Sequence, residues 1–203
     1  MGIFKFKKFE RQFGKPQGLL DRIAGKLMEL KGTEKIEWTI SLLDIQKDDK
    51  VLEIGYGPGV AIELLSKLTP NGYIVGIDHS DLMFKQAQKR NLTAIKEGRV
   101  DLRLGDVANL PLFDIAFDKV LSINTIFFWE KPIEILKHIR RVMKPGGVIA
   151  LTVQPFNETD EKAKEYGHQM MNYLENAGFT NVRMEIKPMK PVASVCVLGI
   201  GMK

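Results

Sequence analysis

Val51-Leu-Glu-Ile-Gly-Tyr-Gly-Pro-Gly59 decides the fold. A short apolar run carrying one acid, Glu53, gives way to glycines at every second position: Gly55, Gly57 and Gly59. Helix-compatible residues follow from Val60 to Lys67. The pattern predicts a buried strand that turns sharply into a helix, with only Tyr56 and Pro58 adding side chains to the turn. Glycine permits positive φ there and lets a ligand approach the backbone closely. The helix start adds unpaired N–H groups and a positive dipole end. A turn so built is expected to hold a nucleotide-like ligand.

Outward from this turn, strands and helices alternate. Strands are predicted near 50–55, 73–78, 100–105, 117–123 and 146–154, and helices near 59–68, 80–97, 130–143 and 158–177. Lys144-Pro-Gly-Gly147 reads as a stop and turn before the fifth strand. Two β-like runs, 181–187 and 192–199, close the chain as an antiparallel pair joined through Lys187-Pro-Met-Lys-Pro191. Such alternation means a doubly wound α/β fold, a mostly parallel sheet with helices on both faces. Upstream, Thr33 is placed to cap a helix running to about Asp44 that buries Ile36, Ile40 and Leu43.

The 203 residues suit one domain of ordinary size, and 44% hydrophobic with 27% charged residues is a globular composition. No apolar run approaches the ~20 residues that span a bilayer. The N-terminus lacks the long apolar region of a signal peptide, so a cytoplasmic protein is expected. The single cysteine, Cys196, excludes an intrachain disulfide and a cysteine-cluster metal site. Residues 1–35 hold nine lysines and arginines against four acids, which is the whole net charge of +5. The sequence is therefore divided into a basic helical arm or lid, residues 1–32, and a neutral globular domain, residues 33–203.

Ligands of doubly wound sheets bind beyond the carboxyl ends of the strands. The first strand contributes Glu53 and the glycine turn. The second ends in Asp78, about twenty residues after the glycines, where an acid accepts hydrogen bonds from ribose hydroxyls. The third ends in Asp106 and the fourth in Asn124. Dinucleotide sites space their glycines differently, and Glu53 would repel a pyrophosphate. A P-loop needs a Lys-Ser/Thr pair that is missing here. Three rim acids and no cation in the turn suit a ligand with amino and sulfonium groups. Simpler roles stand beside these: Asp78 as a helix cap, Asp106 as a turn residue, Met83 as core, and His138 and His168 as helix-surface residues.

The chain resembles class I S-adenosylmethionine-dependent methyltransferases over about residues 33–200. The resemblance rests on Val51-Leu-Glu-Ile-Gly-Tyr-Gly-Pro-Gly59, Val75-Gly-Ile-Asp-His-Ser80 with Met83, Gly105-Asp-Val-Ala-Asn-Leu-Pro111 and Arg141-Val-Met-Lys-Pro-Gly-Gly147, in that order. It implies a Rossmann-like sheet of seven strands, the last antiparallel. It also implies S-adenosylmethionine as cofactor, S-adenosylhomocysteine as product, and no metal. The turn Gly55, Tyr56, Gly57, Pro58 and Gly59 would then wrap the methionine moiety and ribose, with Glu53 supporting the amino group. Asp78 would bind ribose, His79 and Met83 would pack on adenine, and Asp106 and the Val107 N–H would meet its polar edge. Asn124 would lie near the methionine end.

The segment Asn124-Thr-Ile-Phe-Phe-Trp129 is similar to small-molecule methyltransferases, the quinone-biosynthesis type among them, and makes Phe128 and Trp129 substrate-pocket candidates with Phe13 of the arm. No general base is assigned. A nucleic-acid methyltransferase using the basic arm is the first alternative, but the arm has no arginine cluster and no nucleobase-methylation motif is present. A nonenzymatic ligand-binding protein of the same fold is the second. The arm is expected to act as a lid over the pocket or to touch an anionic membrane transiently. The oligomeric state is left open.

Overall fold

The computed structural model describes residues 33–111, 113–155 and 157–202. The chain divides into two units, Met1–Lys35 and Ile36–Lys203, and the fold below is that of the second. A helix, α1, has described residues 33–41. Then come β1 (Lys50–Ile54), α2 (Val60–Leu68), β2 (Tyr73–Asp78), α3 (Asp81–Arg90), α4 (Leu92–Lys96) and β3 (Val100–Leu104). A 3-10 turn at Val107–Asn109 leads to β4 (Phe117–Ile123), and a second at Ile126–Phe128 leads to α5 (Pro132–Arg141). The chain continues through β5 (Met143–Val153), α6 (Asp160–Asn176), β6 (Phe179–Lys187) and β7 (Ser194–Gly201).

The seven strands form one sheet in the order β3-β2-β1-β4-β5-β7-β6. β1 pairs in parallel with both β2 and β4, whereas β7 runs antiparallel to β5 and to β6. The expected doubly wound sheet with an antiparallel last strand is therefore borne out. Strand order reverses between β1 and β4, the place where such sheets open a crevice at their carboxyl edge.

Period-two side-chain alternation divides the core into two layers. Leu52, Val75, Val120, Ile149 and Val197 face one way and pack with Leu136 and Ile139 of α5 and Met170 and Leu174 of α6. Their neighbours Val51, Ile74, Leu121, Ala150 and Leu198 face the other way, toward Ile40 of α1, Ile62 and Leu65 of α2 and Ala87 of α3. Burial on both faces explains why these strands read as continuous apolar runs. Where α1 meets the sheet, the buried Thr39 and Thr152 hydroxyls bond to each other at 2.8 Å, so neither is left unsatisfied.

Three departures from the sequence expectation have a local structural cause. The helix expected over 80–97 is two helices, because Asn91 leaves helical geometry between α3 and α4. Its side-chain amide donates to the carbonyls of Ala87 and Gly59, each at 3.0 Å, a local bond that competes with helix continuation. The helix expected to reach Asp44 ends at Ser41, with Asp44 at φ 48° in the turn after it. Strand β5 begins earlier than 146 because Lys144–Gly147 is a bulge inside it: Phe117 pairs with Met143, and Lys119 with Val148.

Phe117 is fully buried and meets Phe113 edge to face, 5.0 Å between ring centroids. Phe117→Ala is expected to cost about 3–5 kcal/mol, read as a lower denaturant midpoint at unchanged slope in urea unfolding.

Candidate functional site

The glycine turn after β1 has Gly55, Gly57 and Gly59 all at positive φ, yet the three glycines meet different surroundings. A Cβ at Gly55 would overlap Thr125 Cγ2, at the end of β4. A Cβ at Gly59 would stand 2.6 Å from Asn91 Nδ2 and 2.8 Å from Ala87 Cβ. These two glycines let the turn press against β4 on one side and α3 on the other. A Cβ at Gly57 would meet nothing within 4 Å among the described residues. Its open side is where the bare backbone can admit a ligand.

Asp78 closes the turn from the neighbouring strand. The Gly57 N–H donates to Asp78 Oδ2 at 2.8 Å, and the Ser80 N–H donates to Oδ1 at 2.9 Å. Asp78 is 7% exposed, so these charge-assisted bonds replace much of its lost hydration. The helix cap expected of Asp78 is instead Ser80, the N-cap of α3, whose hydroxyl accepts from the Met83 N–H, and Asp78 holds the Ser80 amide. The Asp78 carbonyl accepts from the Gly105 N–H at 2.9 Å, bringing the β3 end alongside. Asp106 lies there exposed, its carboxylate accepting from the Ala108 N–H and capping the 3-10 turn that begins at Val107. Val107 is half-buried, as is Met83, while the His79 side chain is 77% exposed with Nδ1 4.0 Å from Asp78 Oδ1.

Glu53 is the electrostatic oddity. It is 3% exposed, and its Oε2 has no hydrogen-bond partner among the described residues. Burial first, and the Asp78 charge second, push its pKa up to about 8. An orphaned carboxyl in a negative corner fits a cationic ligand group, the amino group of S-adenosylmethionine included. The turn and this carboxyl thus offer a bare backbone cradle and an unanswered acceptor.

Other sequence candidates divide. Pro58 is exposed on the turn. The Tyr56 ring is buried and its hydroxyl donates to the Arg103 carbonyl at 3.3 Å, so only its backbone belongs to the turn. Asn124, at φ 59°, accepts from the Gln154 N–H at 2.8 Å and donates its own N–H to Thr152 at 2.8 Å. Its side chain is committed to joining β4 to β5. Phe128 is 44% exposed whereas Trp129 is 8% exposed. Phe13 lies outside the described residues. Trp129 lines a cleft of about 250 Å³ with Phe127, Glu130, Tyr166, Gln169 and Tyr173.

Sequence reasoning missed Thr125 and Asn91. Thr125 hydrogen-bonds the Ser122 hydroxyl, donates weakly to the Ile54 carbonyl at 3.4 Å, and forms the wall against Gly55. Its only signal was a place among small polar residues after a strand. Asn91 had none, since its role is a contact across 32 positions.

Residues 52–151 match the family model described as a methyltransferase domain. The chain is 37% identical over 177 residues to the uncharacterized methyltransferase YdaC of Bacillus subtilis (strain 168), spanning 86% of this chain and 95% of that one. The chain belongs to the class I S-adenosylmethionine-dependent methyltransferases. This methyltransferase is also 28% identical to a demethylmenaquinone methyltransferase of Thermotoga maritima, covering 79% of this chain and 66% of that protein. In fold it matches the crystal structure of a SAM dependent methyltransferase from Aquifex aeolicus with a TM-score of 0.67, at 20% identity over 88% of this chain and 98% of that one.

The raised Glu53 pKa has a consequence for the ligand-free methyltransferase. Between the ordinary value of 4.5 and about 8, the unfolded chain gives up this proton while the folded one keeps it. Stability therefore falls as pH rises through that window and levels off above it. Glu53→Gln should remove this loss. The melting-temperature advantage of the variant over the wild type should grow from pH 5 to pH 8, and a constant difference would contradict the assignment.

Proposed function

We propose that this methyltransferase transfers a methyl group from S-adenosylmethionine, held at the glycine turn, to a small-molecule acceptor entering beside Thr125. The observation that carries the donor reading is the orphaned Glu53 carboxyl next to a turn whose open side lies at Gly57. Bound there, S-adenosylmethionine supplies an electrophilic methyl on a sulfonium. The chain does the rest by holding and enclosing. Glu53 answers the amino group with a negative charge. Asp78 fixes the Gly57 amide and keeps acceptor capacity toward the ribose. In this reading Asp106 and Val107, at the neighbouring strand end, meet the polar edge of the base, and His79 and Met83 pack on it. Sulfur gives up its positive charge to the acceptor with the methyl group, so alignment and exclusion of water are the main contributions.

The small-molecule reading rests on the cleft. It begins at Ile126, one residue beyond the Thr125 wall of the turn, and its volume of about 250 Å³ suits a compact ligand. The relatedness to a demethylmenaquinone methyltransferase points the same way. The basic N-terminal arm serves in this reading as the cover of the pocket, with Phe13 contributing. Only six residues separate β5 from α6, which leaves little chain there to build a cover.

Calorimetry checks the donor. S-adenosylmethionine and S-adenosylhomocysteine should bind at one site, and a preference for NAD would overturn the reading. Gly57→Ala should weaken S-adenosylhomocysteine about tenfold or more, since about 1.4 kcal/mol of lost contact suffices. Its stability cost should stay near 1–2 kcal/mol, from the left-handed backbone alone. A labelled-methyl screen against metabolite pools identifies the acceptor. Once it is known, deleting residues 1–18 should lower kcat while leaving S-adenosylhomocysteine affinity nearly unchanged. Wild-type kinetics in that deletion would remove the arm from the pocket.

A further inference from the structure

The cleft beside the Ile126–Phe128 turn has a chemistry that the donor site does not use. Its lining residues include four aromatics, Phe127, Trp129, Tyr166 and Tyr173, and one acid, Glu130. Among the described residues no lysine or arginine lines it. Aromatic faces carry negative potential and attract cations, most strongly where water is partly excluded. The rings are braced: Phe127 meets Tyr166 edge to face with centroids 5.0 Å apart, and Gln169 Nε2 donates to the Tyr173 hydroxyl at 2.6 Å. Tyr166 already draws one cation, because Lys162 Nζ stands 5.5 Å from its ring centroid. That ammonium is paired with Glu165 at 2.5 Å, so its charge is answered outside the cleft and Glu130 remains the charged group lining it.

We propose that this cleft is an ammonium subsite, which holds the acceptor by a cationic tertiary or quaternary amine head group. The rings surround the head group and Glu130 supplies the counter-charge. A neutral group of the same shape loses both attractions, and an anion meets a carboxylate with no compensating cation. The head group acts as a handle, since a quaternary nitrogen has no lone pair to be methylated. The proposal rests on the reading that the acceptor enters beside Thr125.

Choline and its neutral isostere, with carbon in place of nitrogen, test the subsite directly. Each is titrated into the full-length protein while the methyl-proton resonances of the probe are followed. Choline should bind saturably with upfield shifts from the rings, and the isostere about fivefold or more weakly. Glu130→Gln should weaken choline about threefold and Tyr166→Leu about fivefold. Both variants should retain wild-type S-adenosylhomocysteine affinity, which reports on the fold and the donor site. If Tyr166→Leu fails to fold, Glu130→Gln, a change at an exposed side chain, decides. Equal affinity for the two probes, no saturable choline binding, or choline affinity untouched by Glu130→Gln would overturn the subsite. Wild-type protein that takes choline but not S-adenosylhomocysteine would leave the subsite standing and remove the donor reading instead.

Discussion

The Asp78 carboxylate is the joint on which the site depends. It is buried at the end of β2, and its two oxygens accept from the Gly57 and Ser80 amides. One bond fixes the glycine turn to the neighbouring strand, and the other begins α3. Were this acid absent, Gly57 would have little to hold it, since its open side meets no neighbour within 4 Å. The same placement isolates Glu53. Asp78 accepts one amide on each oxygen and brings a negative charge to the corner where Glu53 is already short of water. Asp78 thus contributes to both the local order in the turn and the local frustration at Glu53, where burial is the larger cause, a pattern expected where a structure is organised around a ligand.

The turn is held on two further sides by contacts that only glycine permits. Gly55 lies against Thr125, and Gly59 lies against Ala87 and Asn91. Asn91 carries this furthest, because its amide reaches both the Gly59 carbonyl and the Ala87 carbonyl of its own helix. It interrupts the helix between α3 and α4 and leaves its own Oδ1 without a hydrogen-bond partner among the described residues. The helical interruption, the buried polar group and the tight turn are one arrangement.

Much of the fold was legible because its determinants are local. Continuous apolar runs marked the strands, since both faces of the sheet are covered, and the Gly/Pro punctuation marked their ends. The bulge at Lys144–Gly147 was read as a turn before β5 because the sequence shows the bend, while the pairing of Met143 with Phe117 depends on another strand. Within the site, acids at strand ends were visible, but their surroundings were not. No sequence pattern shows that Glu53 Oε2 has no hydrogen-bond partner among the described residues or that Asn124 Oδ1 is taken up by the Gln154 N–H. Tyr56 sits between two glycines of the motif, yet its ring is turned into the core, where a Cβ on Gly76 would lie 2.7 Å from it. Phe128 and Trp129 look equivalent in sequence. The 3-10 turn separates them, leaving one exposed and the other in the core.

The end of β4 connects the donor turn to the cleft. Asn124 and Thr125 are consecutive but face different duties. Asn124 adopts a left-handed backbone and clips β4 to β5 through Gln154 and Thr152. Thr125 turns back to Ser122 and packs on Gly55. The next residue, Ile126, opens both the 3-10 turn and the cleft wall. A displacement of this hinge would therefore alter the glycine turn and the aromatic wall together. Displacement is resisted from beneath, since β4 is hydrogen-bonded on both sides, to β1 and to β5. Methyl transfer needs two ligands aligned to within fractions of an ångström. Here the walls of both sites are set by successive residues at the end of one doubly paired strand, so their alignment follows from the central register of the sheet.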